Sequence, residues 1–336
     1  MIRDAIRMVV EGHSLTEEQA SQAMTEIMEG AATPSQIAAL ATALRINGET
    51  AEELLGFVRV MRAKATPIPH SQAEVMDTCG TGGDALGTFN ISTTAAFVVA
   101  GAGVHVAKHG NRAMSSRCGS ADVLSALGVN LELTPLQVAA CIDTVGIGFL
   151  FAPALHGAMK HAGPTRKEIG IRTFFNLLGP LCNPAKATRQ VLGVFDPDYC
   201  EKLAWVLGRL GTVRALVVSS LDGMDEITTT DETAVAELKD GKVTGYHLEP
   251  EDLGFKRAAL ADLAGGTPEE NAAITTRVLG GEKGPHRDVV VFNAAAGLLA
   301  AGKVSDLKQG VPMAEQSIDS GEATKKLKQL IETSRS

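Results

Sequence analysis

The sequence lacks the cysteine patterns of secreted or zinc-stabilised proteins. Its five cysteines are scattered, odd in number and include no C-x-x-C pair: Cys79, Cys118, Cys141, Cys182 and Cys200. Disulfide frameworks and structural zinc sites use paired cysteines at short spacing, so neither is expected. We interpret these residues as buried or incidental thiols in a reducing cytosol.

Long apolar runs are also lacking. No stretch reaches the roughly 20 apolar residues that span a bilayer, and the run around residues 95–102 is short and interrupted by glycine. The first residues include Arg3, Asp4 and Arg7 and no apolar segment typical of a secretory signal. We therefore expect a soluble, cytoplasmic protein that makes no membrane contact.

Positive charge is in deficit, because 31 lysines and arginines face 39 aspartates and glutamates, for a net charge of −8. A long-range attraction to nucleic acid is not expected at this charge. An anionic substrate would need local basic residues or a metal ion.

The 336 residues suffice for a large α/β domain and a smaller one. Only the polar tail at residues 333–336 is typical of disorder.

Residues 1–66 are predicted to form a small helical domain. Ser14 and Glu17 have the spacing of a capping box, and Thr50 with Glu53 repeats it. Between them, Thr33 precedes a proline at the first position of a helix. Three short amphipathic helices bury little apolar surface alone. We expect them to pack on another domain or on a second subunit.

Strands and helices alternate beyond the proline-rich linker at residues 66–69. Strands are predicted at 74–78, 104–107, 190–195 and 215–219, with helices from about Ser92 and Tyr199. Asp240-Gly241 joins two alternating segments and predicts a hairpin. Helices are predicted again after Thr267 and at 288–301. The prediction is an α/β fold in which residues 72–336 form a large domain around a mostly parallel central sheet.

Residues 77–84 (DTCGTGGD) and 88–93 (TFNIST) form the first candidate site. A strand ends in a glycine-rich loop, and a helix then begins with Ser92, Thr93 and Thr94 in its first turn. Free N–H groups at a helix start favour phosphate. The alternative is an ordinary strand-to-helix turn with a cap. The segment is neither a GxxxxGK[ST] loop nor a G-x-G-x-x-G fingerprint.

Residues 108–112 (KHGNR) form a second candidate, with Ser115, Ser116 and Ser120 close behind. The predicted strand at 104–107 places them just past a strand end, where ligands bind in open α/β sheets. Two cations, a histidine, an amide and hydroxyls can hold a polyanion. The alternative is a solvated basic turn.

The third candidate is the acidic segment 222–226 (DGMDE), directly after a predicted strand. Asp225 and Glu226 can both turn toward a hard cation, and Mg²⁺ usually takes one or two carboxylates plus substrate phosphates. An acid/base dyad and a solvated acidic turn are the alternatives. Outside these three segments, Arg166 could hold a substrate carboxylate through two hydrogen bonds or lie on the surface, and His156 could be structural.

These segments, in this order, resemble the anthranilate phosphoribosyltransferase family over almost the whole chain. The matching text comprises 77–84, 88–93, 108–112, 119–123 (GSADV), 166–173 (RKEIGIRT), 176–181 (NLLGPL), Asp225-Glu226, 282–285 (EKGP) and 293–296 (NAAA). One departure is Ala85, since the family's loop usually has glycine directly after the aspartate.

The resemblance implies a pentosyltransferase of tryptophan biosynthesis that transfers the phosphoribosyl group of phosphoribosyl pyrophosphate (PRPP) to the amine of anthranilate. It implies two Mg²⁺ ions per subunit, on Ser92, Asp225 and Glu226. Anthranilate would contact Gly80, His109, Asn111, His156 and Arg166. The catalytic residues would be Lys108, Arg166, Asp225 and Glu226. The PRPP site would be lined by Gly80, Gly83, Asp84, Thr88, Asn90, Ile91, Ser92, Thr93, Lys108, His109, Gly110, Asn111, Arg112, Ala113, Met114, Ser115, Ser116 and Ser120.

The family's architecture implies that a later helical insertion, at about 166–186, packs on the N-terminal helices. It also implies a homodimer formed through the small domain.

The expected reaction is direct attack of the amine on the anomeric carbon, without a covalent intermediate. A role for His109 as general base is a less favoured alternative. The alternatives are a pyrimidine nucleoside phosphorylase and a non-enzymatic nucleic-acid-binding paralogue. The acidic pair and the KHGN segment argue against the first, and the negative net charge against the second.

Overall fold

The computed structural model describes residues 1–84, 86–113 and 117–336. The N-terminal part consists of four helices, α1 Ile2–Val10, α2 Glu17–Met28, α3 Pro34–Asn47 and α4 Ala51–Lys64. Three of the four begin with a capping box, in which a threonine side chain accepts the N–H three residues on and the residue at that position returns the bond.

Two predictions for these helices were wrong in detail. The box of α2 is formed by Thr16 and Gln19, not by Ser14 and Glu17, because the same residue pattern recurs two positions later and leaves Glu17 in the first turn. Helix α1 was not predicted, although Ile2, Ala5 and Val9 are spaced as one buried helical face.

A seven-stranded sheet forms the centre of the larger part, in the order β3-β2-β1-β4-β5-β6-β7. The pairs among the first five strands of that order are parallel, and β6 and β7 add an antiparallel hairpin at one edge. The mostly parallel α/β sheet is therefore as predicted, including the turn at Asp240-Gly241. The strands are β1 Met76–Gly80, β2 Val106–Gly110, β3 Ile147–Phe151, β4 Arg189–Gly193, β5 Arg214–Ser220, β6 Thr233–Lys239 and β7 Lys242–Leu248.

Helices cover both faces of this sheet. The remaining α-helices are α5 Ile91–Gly101, α6 Ser120–Ala126, α7 Pro135–Ala140, α8 Ala152–Leu155, α9 Gly163–Ile169, α10 Phe174–Leu178, α11 Cys200–Arg209, α12 Pro268–Leu279, α13 Pro285–Ala300, α14 Leu307–Asp319 and α15 Glu322–Arg335. A π-helical turn spans Cys141–Val145, and short 3₁₀ turns span Gly157–His161, Gly179–Cys182, Pro197–Tyr199, Pro250–Leu253 and Leu260–Leu263.

The sheet separates two main hydrophobic cores, because successive strand residues point to opposite faces. In β5, Leu216 and Val218 join the core of α5, α13, α14 and α15. Ala215 and Val217 point the other way, into a core shared with α11 and with the N-terminal helices. The four N-terminal helices therefore complete their core on one face of the sheet.

Residues 163–182 return the chain to the N-terminal helices. Phe174 in α10 stacks on Phe57 in α4, with ring centroids 4.4 Å apart. The guanidinium Nε of Arg62 donates to the carbonyl oxygen of Leu181 over 2.7 Å. This segment lies between β3 and β4 in sequence, so α9 and α10 connect the helical part to the sheet.

Several local predictions need correction. Strand β3 was not predicted at all. Lys108, His109 and Gly110 were placed in a loop past a strand, but they are the last three residues of β2. The tail expected to be disordered continues as α15 up to Arg335. All five cysteines are free and buried. Among the described residues, no helix combines the length and the apolar character that crossing a membrane requires.

Candidate active site

The candidate residues meet at the carboxyl ends of β1, β2, β4 and β5. Gly80 closes β1 and lies beside Gly193, which closes β4. Asp225 and Glu226 lie on the connection that follows β5. Loops at this edge are where open parallel sheets bind ligands.

Asp225 packs directly against the two strand ends. A Cβ atom at Gly80 would lie 2.2 Å from its Oδ2, and one at Gly193 would lie 1.6 Å from its carbonyl oxygen. The backbone N–H of Gly82 donates to the same Oδ2 over 2.7 Å. Glycine is therefore required at both strand ends, since any side chain would displace Asp225.

Glu226 lies at the start of α5. Its Oε1 accepts the backbone N–H of Ser92 over 3.0 Å, in the first turn of a helix whose N-cap residue, Asn90, makes no side-chain cap bond. Asn293 of α13 fixes the next residue, because it accepts the Ile227 N–H over 3.1 Å and donates to the Ile227 carbonyl over 2.7 Å. The carboxylate is thus held at a positive helix end.

Burial and mutual repulsion perturb both carboxylates. Burial, followed by the nearby charge of Asp84, raises the pKa of Asp225. Burial, followed by the charge of Asp225, raises the pKa of Glu226, while the charge of Lys108 and hydrogen bonds from Ser92 act in the opposite direction. Carboxylates that repel each other are poised to accept a cation.

Lys108 is buried beneath this pair. Its Nζ donates to the Thr78 carbonyl and lies 3.4 Å from Ser92 Oγ. The hydroxyl of Thr78 in turn donates to the Ser92 carbonyl over 3.3 Å. One cation therefore joins β1, β2 and α5 directly under the acidic pair.

Asp77, which opens the glycine-rich motif, is fully buried and was not assigned a role from sequence. Its Oδ1 accepts the His109 N–H over 3.0 Å, and its Oδ2 accepts from Asn183 Nδ2 over 2.8 Å. Asn183 also donates to the Ala107 carbonyl over 2.8 Å. Burial raises the pKa of Asp77, and these hydrogen bonds and the charge of Lys108 lower it. The carboxyl group ties β1, β2 and the chain after α10 together.

His109 and His156 form a buried pair, with their Nε2 atoms 3.2 Å apart. Burial, and then the neighbouring His156, lower the pKa of His109 to about 3, although a hydrogen bond to the Gly179 backbone favours the charged form. Burial lowers the pKa of His156 to about 4. The two rings are therefore neutral near pH 7, and His109 is poorly suited to take up a proton as a general base.

The chain after β2 is organised by Asp122 of α6. Its carboxylate accepts from the backbone N–H groups of Ala113 and Gly119, over 2.9 and 3.0 Å, and from Arg112 Nη1 over 2.9 Å. Asn111 is exposed, and its carbonyl accepts from Ser120 Oγ over 3.3 Å. Met114, Ser115 and Ser116, expected to line the PRPP site, lie outside the described residues, as does Ala85.

The remaining predicted PRPP residues surround the start of α5. Thr88 forms an isolated bridge with Ala264, and Asn90 Oδ1 accepts from Asn271 Nδ2 over 2.9 Å. The side chains of Ile91 and Thr93 are buried. Gly83 and Asp84 lie on the glycine-rich loop, which we define as residues 81–84, and Gly110 lies at the end of β2.

Arg166 lies on α9, with its guanidinium carbon 5.2 Å from the ring centroid of Phe175. Burial lowers its pKa. In the part of the chain that the structure describes, Arg166 forms no salt bridge, so its donors remain available for a carboxylate. The cation–π contact holds the guanidinium in a defined place.

The donor set suits Mg²⁺. No group of three His, Cys, Asp or Glu residues that could hold a metal occurs within the described ranges. Mg²⁺ nevertheless needs few protein ligands, because it keeps water and substrate phosphates in its shell. Asp225, Glu226 and the Ser92 hydroxyl offer hard oxygen atoms at one point. Burial, followed by neighbouring carboxylate charge, raises the pKa of both acids, so a bound cation would stabilise their charged forms.

Three functional positions were missed from sequence. Gly193, Asp77 and Asn183 act through partners far away in the chain; the Asp77–Asn183 bond spans 106 positions. The available signal for Gly193 was a glycine inside the predicted strand 190–195, since glycine in a strand often marks the close approach of another part of the backbone. For Asn183, no local signal existed.

Comparisons with known proteins agree with this geometry. Residues 72–324 match the family described as glycosyl transferase family, a/b domain, and residues 3–65 match its helical bundle domain. The chain is 60% identical to anthranilate phosphoribosyltransferase of Symbiobacterium thermophilum over 97% of this chain and 96% of that one. The crystal structure of anthranilate phosphoribosyltransferase from Thermus thermophilus matches with a TM-score of 0.94 and 47% identity, over 99% of this chain and 100% of that one. The Saccharomyces cerevisiae enzyme in complex with PRPP and Mg matches with a TM-score of 0.90 and 26% identity, over 99% and 98%.

Proposed function

The chain belongs to the anthranilate phosphoribosyltransferase family, and we propose that it transfers the phosphoribosyl group of PRPP to the amine of anthranilate, releasing pyrophosphate. The observation that carries this proposal is the meeting of Asp225, Glu226, Ser92 and the glycine-rich loop at one point. A diphosphate needs such a combination of cation ligands and backbone donors.

In this proposal the chain's own residues position the donor. The N–H groups of Gly82 and Ser92 bond to the acidic pair, and the other N–H groups of the glycine-rich loop and of the first turn of α5 would bind phosphate oxygens. Lys108 adds positive potential that is already in place before reaction, because its ammonium group is fixed by Thr78 and Ser92. Asp225, Glu226 and Ser92 would hold two Mg²⁺ ions, which would neutralise charge on the leaving pyrophosphate.

The acceptor would lie between the glycine-rich loop and the segment of residues 163–182. Arg166 would bind the carboxylate of anthranilate, while Asn111 and the neutral pair of His109 and His156 would line its path. The aniline nitrogen is a weak base and needs little deprotonation before it attacks the anomeric carbon. Orientation, rather than proton removal, is then the main contribution of these residues.

The test is a fluorescence assay of anthranilate consumption with PRPP and Mg²⁺. We expect consumption that requires all three components and stops with a chelator. The double variant Asp225→Ala/Glu226→Ala should lose most activity. A matched control exists on the same β5–β6 connection, where Asp231 and Glu232 form another adjacent acidic pair that bonds to Arg257 and His247.

The outcomes separate the candidate functions. Equal loss of activity in the Asp231→Ala/Glu232→Ala control would refute the assignment of Asp225 and Glu226 as metal ligands. Near-normal rates in the Asp225→Ala/Glu226→Ala variant would refute it as well. No consumption by the folded wild-type protein would refute the proposed reaction, and phosphorolysis of pyrimidine nucleosides would be measured next.

We also propose that the protein works as a homodimer in the cytoplasm. Two apolar side chains of the N-terminal helices are exposed, Val10 at 70% and Ile46 at 79%, which supports contact with a second copy at this surface. Five buried free thiols suit a reducing compartment. Light scattering of an Ile46→Asp variant should show a monomer where the wild type is a dimer. An unchanged mass would exclude this surface as the dimer interface.

A further inference from the structure

Arg172 lies on the turn between α9 and α10 and joins two parts of the candidate site. Its Nη1 donates to the carbonyl oxygen of Gly83 over 3.1 Å. Its guanidinium carbon lies 4.3 Å from the ring centroid of Phe195, just beyond β4. The side chain is exposed overall. It thus reaches from the segment that carries Arg166 to the glycine-rich loop without a buried structural role.

The glycine-rich loop is joined to β4 at its start, where the Thr81 N–H donates to the Gly193 carbonyl oxygen over 2.9 Å. Gly82 and Gly83 have φ angles of +68° and +85°, a region that glycine enters without strain but does not hold by itself. On one side, the Gly82 N–H donates to Asp225; on the other, Arg172 holds the Gly83 carbonyl. The site where a Cβ of Gly83 would lie is only 3.6 Å from Arg172 Cδ. The loop is therefore restrained from both sides.

We propose that Arg172 is a positioning residue that holds the glycine-rich loop in the conformation that receives the diphosphate of the donor. This inference rests on the proposed function. A loop that is already ordered loses less conformational entropy when a ligand binds, so the restraint strengthens donor binding. Arg172 is not among the residues proposed to bind the acceptor, so its effect should be larger on the donor than on the acceptor.

The test compares Arg172→Met, which keeps an unbranched side chain but loses the donor groups and the charge, with Arg172→Lys, which keeps a donor and the charge. The expected result for Arg172→Met is a rise of about five- to tenfold in the KM for PRPP, the size of one exposed charge-assisted hydrogen bond. The KM for anthranilate should change by less than about twofold. Arg172→Lys should recover part of the donor affinity. Arg209→Met is the matched control, since Arg209 also stacks on an aromatic ring, Trp205, at 4.9 Å.

Amide hydrogen exchange of a peptide covering the glycine-rich loop gives a readout that does not depend on turnover. Without substrates, exchange should be faster in Arg172→Met than in the wild type and in Arg209→Met. An unchanged KM for PRPP together with unchanged exchange would overturn the inference. So would equal rises in the KM values of both substrates. If the wild type consumed no anthranilate, the proposed function would fail, whereas the exchange rates would still decide the role of Arg172.

Discussion

Replacement of Gly193 by alanine is the sharpest test of how the strand ends support the acidic pair. The new Cβ would lie 1.6 Å from the Asp225 carbonyl oxygen and 2.5 Å from its carbonyl carbon. Ordinary contact begins near 3.4 Å, so the Asp225 backbone must retreat by about 1.8 Å. The clashing atoms belong to the backbone of Asp225, a proposed metal ligand. Rotation of the Asp225 side chain therefore cannot relieve the clash.

The magnitude follows from that displacement. A misplacement of about 1 Å at a catalytic group costs about 100-fold in rate, so kcat of Gly193→Ala should fall by at least about 100-fold. The overpacking itself should lower the free energy of unfolding by only about 1–3 kcal/mol. The protein should therefore remain folded while the Mg²⁺ concentration for half-maximal activity rises.

The assay measures initial rates of anthranilate consumption over a range of Mg²⁺ concentrations, with thermal unfolding measured in parallel. Gly245→Ala is the control, because Gly245 lies in β7 of the same sheet and its added Cβ would lie 3.2 Å from the end of the Glu201 side chain and 4.0 Å from the Val235 carbonyl oxygen. A Gly193→Ala variant with wild-type kcat and Mg²⁺ dependence would refute the requirement for glycine at this strand end.

Three further predictions concern charge in the site. Burial raises the pKa of Asp225 in the folded protein above its value in the unfolded chain. Between these two pKa values the folded protein binds a proton that the unfolded chain has released. The free energy of unfolding therefore falls as pH rises through this interval. The metal-free Asp225→Asn variant should therefore have a higher melting temperature than the wild type at about pH 8, and the difference should disappear at about pH 4. A difference in melting temperature that grows toward acid pH would contradict this prediction. Activity should decline as pH falls through the raised pKa values of Asp225 and Glu226, because a protonated carboxylate does not bind Mg²⁺, and excess Mg²⁺ should shift the decline to lower pH. Since the pKa of His109 is lowered to about 3, His109→Ala should leave the shape of the pH–rate profile unchanged near pH 6.5, and the disappearance of a limb there would restore His109 as a general base.

Local signals account for the parts of the fold that the sequence analysis predicted. The Asp240-Gly241 turn, the box of Thr267 and Glu270 and the alternation of strands with helices each depend on residues a few positions apart. The acidic pair and the glycine-rich loop were recognisable for the same reason, since each is one continuous segment.

What was missed depends on distant contacts. Strand β3 contains Gly148, and its short apolar run does not alternate, so its assignment rests on pairing with β2. The assignment of Lys108 and His109 to a loop failed because β2 runs on to Gly110, where it pairs with Phe151. The resemblance to a family named the site residues, but it could not reveal that Asp77 and Asn183 hold them in place.

The core shared by the N-terminal helices and the sheet has a consequence for folding during synthesis. The apolar faces of α1–α4 are complete only when α10, α11 and strands β4–β6 have been made. Strand β6 ends at Lys239, about 175 residues after α4, which corresponds to roughly 9–35 s of translation at 5–20 residues per second. During that time the first helices would leave the ribosome with an unfinished apolar surface. Chaperone binding, or a transient association between nascent chains through these helices, is the expected result.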